Sequence, residues 1–102
     1  MKNYLLYKIY GTKKSLSTAK SQAFELTSAD TTYLLPTAEL TGREILVIYN
    51  SSDVTIYWGG SDVTTSNGVP IASSKYMVIP AVNNIYVICG SAGKSIRIGE
   101  LK

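Results

Sequence analysis

The chain has 102 residues, a net charge of +3, one cysteine and no histidine. That length suits one domain with a single two-layer core and leaves no room for a second lobe, which argues against a multidomain enzyme. Neither an intrachain disulfide nor a zinc site built on Cys and His can form within one copy.

The amino terminus carries most of the positive charge. Residues 1 to 24 hold Lys2, Lys8, Lys13, Lys14 and Lys20 with no acid, so they contribute +5 while the remainder sums to −2. Tyr4, Leu6, Tyr7 and Tyr10 stand in the same stretch. The lysines read as a solvated end, as a docking element for an acidic protein surface, or as a nucleic-acid contact. The last is disfavoured, because the stretch has no arginine and no glycine-aromatic pattern of a single-strand binder. "MKNYLLYKIYGTKKS" is also too short and too tyrosine-rich in its apolar part for a signal peptide. No run approaches the roughly eighteen apolar residues of a membrane helix, so no membrane association is expected.

Strand patterns then follow nearly throughout. "NYLLYKIY" (3 to 10) is rich in aromatic and branched residues and closes at Gly11-Thr12. A single helical turn is allowed around "STAKSQ" (17 to 22). In "QAFELT" (22 to 27), Ala23, Glu25 and Thr27 oppose Gln22, Phe24 and Leu26. "YLLP" precedes "TAELTG", whose Gly42 punctuates the start of "REILVIYN" (43 to 50). That strand is apolar on both faces and therefore reads as central. "VTIYW" (54 to 58) follows across Asn50-Ser51-Ser52-Asp53, a polar turn of the kind that joins antiparallel neighbours. "KYMVIP" (75 to 80), "IYVICG" (85 to 90) and "SIRIGEL" (95 to 101) come at even spacing, which favours a meander or Greek key. Cys89 sits in apolar "YVICG" and reads as a buried structural thiol.

The expected fold is an all-β antiparallel sandwich, jelly-roll or Ig-like, of seven to eight strands. Residues 21–102 would form the sandwich, with 1–20 as an attachment segment or a first strand. The core candidates are Ile45, Val47, Ile56, Val78, Val87, Ile96 and Ile98.

One long stretch lacks core residues. "YWGGSDVTTSNGVPI" (57 to 71) places small and polar side chains between Trp58 and Pro70, and Ser61-Asp62-Val63-Thr64 echoes Ser52-Asp53-Val54-Thr55. The first copy enters a strand and the second follows Gly59-Gly60, so the echo is shared turn chemistry and not a repeat architecture. The oxygens of Asp62, Thr64, Ser66 and Asn67 miss calcium-loop spacing, and Ser73 stands where a bidentate glutamate should be. Gly59-Gly60 lacks the Gly-Lys-Ser/Thr of a phosphate loop. A loop bonded by its own Asp, Ser, Thr and Asn side chains is expected, with no metal or cofactor.

From Gly42 to Leu101, "GREILVIYNSSDVTIYWGGSDVTTSNGVPIASSKYMVIPAVNNIYVICGSAGKSIRIGEL" resembles a small β-rich module of tailed-bacteriophage virion proteins. The likeness is most specific in Gly59 to Pro70 and extends over about residues 22 to 102. It implies a structural virion protein, either a capsid-surface decoration or a head-fibre subunit. Its expected partners are virion proteins, the major capsid protein foremost. It also implies a homo-oligomer, a trimer before a dimer, and a loop that crosses an edge of the sandwich. The lysine- and tyrosine-bearing front segment departs from the module.

Catalysis finds no constellation, since the seven acids are scattered and fall mostly at strand or turn surfaces. Two non-enzymatic classes stand. In one, Lys2, Tyr4, Leu6, Tyr7, Lys8, Tyr10, Lys13 and Lys14 bind the capsid. In the other, a tail-associated adhesin stacks sugar rings near Trp58 with polar partners such as Asp62 and Asn67.

Overall fold

The computed structural model describes residues 18–80 and 83–102. Eight strands form: β1 (Ala19–Leu26), β2 (Tyr33–Leu35), β3 (Ile45–Tyr49), β4 (Ile56–Gly59), β5 (Val69–Ile71), β6 (Tyr76–Ile79), β7 (Ile85–Ile88) and β8 (Lys94–Leu101). They pair antiparallel in two four-stranded sheets, in the orders β1-β8-β3-β6 and β2-β7-β4-β5. This order, in which successive strands mostly change sheet, is that of an eight-stranded jelly roll. Among the described residues there is no helix, and hence none long and apolar enough to cross a membrane.

Side chains with a period of two build the core. Leu26, Leu46, Ile48, Ile79, Ile96 and Ile98 from the first sheet meet Leu35, Ile56, Ile71, Ile85 and Val87 from the second, with Cys89 among them. Phe24, Tyr33, Val54, Trp58 and Met77 pack against this cluster. Phe24 and Tyr33 meet edge to face, their ring centroids 6.1 Å apart.

Four expectations are corrected. Val47 and Val78 are not core residues: they pair with each other on the outer face of the first sheet, because Leu46, Ile48 and Ile79 take the inner positions. The helical turn at 17 to 22 gives way to β1, which extends to Ala19 and pairs along its whole length with β8. Ladder hydrogen bonds worth more than an isolated turn decide that conflict. Asn50 to Asp53 does not join neighbours, since β3 and β4 lie in different sheets. Of the two arrangements expected for the last three strands, the Greek key holds and the meander does not, because β7 lies in the other sheet from β6 and β8. Finally, residues 69–71 are a strand, β5, so eight strands are reached without residues 3 to 10. The strand or attachment segment expected at the amino terminus lies outside the described residues, apart from 18–20, which belong to the β1–β8 ladder and its Thr18 extension.

Two buried polar side chains bracket β3. Before it, Arg43 is fully buried and its guanidinium donates to Glu100 Oε2 (3.2 Å), to the Leu35 carbonyl (3.4 Å) and to the Asn83 carbonyl (2.7 Å). Glu100, itself only 2% exposed, also accepts the Leu40 N–H at 3.1 Å. Gly42, with φ +80°, makes the turn that delivers Arg43 inward. After β3, the buried Asn50 amide donates to the Val54 carbonyl (2.7 Å) and the Ile71 carbonyl (2.8 Å), while its oxygen accepts the Ser52 N–H and hydroxyl. Each bracket reaches the opposite sheet, through Leu35 of β2 or Ile71 of β5.

The inner and outer faces of β3 generate a direct comparison. Ile48→Ala is expected to cost about 2–5 kcal/mol in urea denaturation, whereas Val47→Ala costs ~1 kcal/mol or less. Equal losses would mean that a further layer of core lies over the outer face.

Candidate functional site

The polar stretch between β4 and β5 is a hairpin loop within the second sheet, so it does not cross an edge of the sandwich as expected. Its shape is set by small residues and by its own side chains. Trp58 points toward the core cluster, which turns Gly59 to the outer side of the sheet. Val63 fills the space a side chain there would need, since a Cβ on Gly59 would lie 3.0 Å from Val63 Cγ2. Val63 is accordingly 4% exposed although it belongs to no part of the inter-sheet core. Its carbonyl accepts the Thr32 hydroxyl at 3.3 Å, which ties the loop to the start of β2.

The rest of the loop bonds to itself as its sequence implies. Asn67 Oδ1 accepts the Thr64 N–H at 2.7 Å, and Asn67 Nδ2 donates to the Asp62 carbonyl at 3.3 Å. Thr64 Oγ1 accepts the N–H groups of Ser66 and Asn67, and the Thr64 carbonyl accepts the Gly68 N–H at 2.9 Å. Gly68 is compulsory for a steric reason: a Cβ there would lie 2.6 Å from Tyr57 Cβ and 2.9 Å from the Thr64 carbonyl oxygen.

Beside this hairpin lies a cavity of about 250 Å³. Trp58 and Val69 give it apolar walls, Gly59 and Gly60 leave it open, and Asp62, Val63 and Asn67 complete the lining. Sequence reading singled out Trp58, Asp62 and Asn67 together, and the fold brings all three to this one place. The indole Nε1 of Trp58 is buried without a hydrogen-bond partner. No hydrogen bond or ion pair engages the Asp62 carboxylate among the described residues.

The partner-binding candidates Lys2, Tyr4, Leu6, Tyr7, Lys8, Tyr10, Lys13 and Lys14 lie outside the described residues. A second aromatic feature is described in full. On the outer face of the first sheet, Tyr49 and Tyr76 pair across β3 and β6 and are 40% and 67% exposed. Val47, Val78 and Gly99 form the next row of that face.

Among charged groups, Lys94 donates to Asp53 at 2.8 Å and holds that exposed carboxyl below its ordinary range. The Tyr33 hydroxyl, bonded to Thr27 and to the Ser28 N–H, is likewise lowered. No group of three or more metal-binding side chains occurs among the described residues. Glu100 is the exception to the mostly superficial placement expected of the acids, being sealed against Arg43. The signal for it was present: Glu100 shares the parity of the core residues Ile96 and Ile98.

No protein-family model matches this chain, and no curated protein does so. One similar solved structure is a chain described under "Bacillus endospore appendages form a novel family of disulfide-linked pili". It shares 13% identity at a TM-score of 0.44, over 88% of this chain and 89% of its own. Functional reading accordingly rests on the residues of this chain.

The steric role of Gly68 is testable by Gly68→Ala. This substitution is expected to destabilise the domain by about 1–3 kcal/mol and to alter the emission of Trp58, the sole tryptophan. Unchanged stability and emission would show that the loop tolerates a different path.

Proposed function

We propose that this protein is a structural subunit of a larger assembly, a virion-surface decoration or head-fibre component, which attaches through its amino-terminal segment. The carrying observation is that both sheets of the jelly roll are filled by residues 19–101. Residues 1–17 are therefore not needed to supply any of its eight strands. They hold four lysines and no acid, whereas residues 18–102 hold six basic and seven acidic residues, for a net charge of −1. A basic, tyrosine-rich segment joined to a complete and nearly neutral domain suits docking on a partner. Charge guides the approach and aromatic rings supply the contact area. The resemblance of residues 42–101 to a virion module of tailed phages points to the same class of assembly, with the major capsid protein as the partner.

Placement of the attachment point supports this reading. Thr18 exchanges two hydrogen bonds of 3.0 Å with Lys102, so the segment leaves from the end of the β1 edge. The exposed Tyr49 and Tyr76 offer a second contact surface on the same sheet.

Self-association is part of the proposal, with a trimer favoured. Three of the four sheet edges are short and carry proline: Pro36 follows β2, Pro70 lies within β5 and Pro80 follows β6. Proline cannot donate to a ladder, so these edges resist strand addition. β1, with eight residues and no proline, is left as the edge suited to pairing with another copy, its charged Lys20 and Glu25 limiting indiscriminate pairing.

Removal of residues 1–16 tests the attachment. The shortened chain is expected to stay soluble, with the strand-dominated circular dichroism of the full chain, and to lose incorporation into particles reconstituted with capsid protein. An unfolded product, or undiminished incorporation, would contradict the proposal.

A further inference from the structure

The Trp58 cavity has a donor and acceptor pattern that the attachment reading does not use. Its wall is the one indole of the chain, half-buried and held against the core. At the rim stands the Asp62 carboxylate, which has no hydrogen-bond or ion-pair partner among the described residues. Gly60 keeps that carboxylate close to the backbone, because a Cβ there would lie 3.2 Å from Asp62 Oδ1. Asn67 adds a donor: one amide hydrogen goes to the Asp62 carbonyl, and the amide carries a second.

These groups select among ligand classes. Anions such as phosphate or carboxylate are disfavoured, since no lysine or arginine lines the cavity and Asp62 repels them. A quaternary ammonium would suit Asp62 and the indole face. It has no acceptor, however, for the second N–H of Asn67. A hydroxyl both donates and accepts, so neighbouring hydroxyls on one ring serve the Asp62 carboxylate and the second Asn67 N–H together. The apolar face of a pyranose ring also matches the indole and Val69 walls, in the manner of ligands that need an apolar body with polar edges. The volume of about 250 Å³ falls below the range of drug-sized pockets, which fits one ring rather than an extended chain buried whole. We propose that the β4–β5 hairpin is a recognition site for a single neutral pyranose unit of a glycan, with Trp58 as the stacking platform and Asp62 as the main hydrogen-bond acceptor.

Because the chain has one tryptophan, its side-chain N–H gives a single indole resonance that reports this cavity alone. The full-length ¹⁵N-labelled protein is titrated into the millimolar range with methyl glucoside, methyl galactoside, methyl mannoside and N-acetylglucosamine. Sorbitol and tetramethylammonium serve as controls. The expected result is a saturable shift of the indole resonance with at least one pyranose and none of comparable size with either control. Asp62→Ala is expected to weaken that binding by roughly tenfold or more. Asp62→Asn, which keeps the shape of the side chain and one acceptor oxygen, should fall between the two. Absence of a saturable shift with every pyranose would overturn the proposal. So would an equal response to sorbitol, saturation by tetramethylammonium alone, or undiminished affinity in a folded Asp62→Ala variant.

Discussion

The structure depends on how β3 is held. This strand is central in its sheet and apolar on both faces, so packing alone would fix neither its register nor its position between the layers. Arg43 at one end and Asn50 at the other remove that freedom. The first pins the start of the strand to β8 through Glu100 and to the end of β2 through the Leu35 carbonyl. The second pins its end to the β5 carbonyl of Ile71. A buried charge without its partner is far more costly than one that is paired, so a slip by one residue would strand Arg43, Glu100 or Asn50 in the interior. One register therefore satisfies all three groups, and the two sheets are set relative to one another by the same bonds.

From that frame the remaining features follow. With both sheets in place, the hairpin between β4 and β5 has a fixed platform. Val63 can seat over Gly59, and Trp58 keeps one side against the core and the other toward the cavity. The proposed glycan site thus stands on strand ends and a self-bonded loop, which is a rigid base for orienting a small ligand. The proposed attachment draws on the same frame: β1 to β8 form both described sheets of the jelly roll without a strand from the basic segment that precedes Thr18.

Much of this was legible in the sequence, and the reasons it stopped are specific. Alternation identified most strands and the central position of β3, and turn chemistry anticipated the self-bonded loop around Thr64 and Asn67. Alternation could not say which side of β3 faces the core, because both sides are apolar; Val47 and Leu46 are equally suited by composition, and only the partner sheet decides. Turn residues after Asn50 look alike whether the chain returns to a neighbour or crosses to the other sheet, as it does here. Short β5 was hidden by Pro70, which an edge strand tolerates and a central one does not. At the cavity, Trp58, Asp62 and Asn67 were visible as residue types with the right chemistry. Asn67 proved to serve chiefly the loop itself, and the unpaired indole N–H could be known only from the packing around it.

The bracket at Arg43 is the most exposed part of this account, since the burial of Glu100 and the closure of the sandwich both rest on it. Equilibrium urea unfolding of Arg43→Ala, followed by circular dichroism and by Trp58 emission, tests it directly. The account predicts a loss of about 3–5 kcal/mol, seen equally by both probes, because Glu100 is left buried without its counter-charge. A loss under about 1 kcal/mol, with Glu100 still buried, would contradict it.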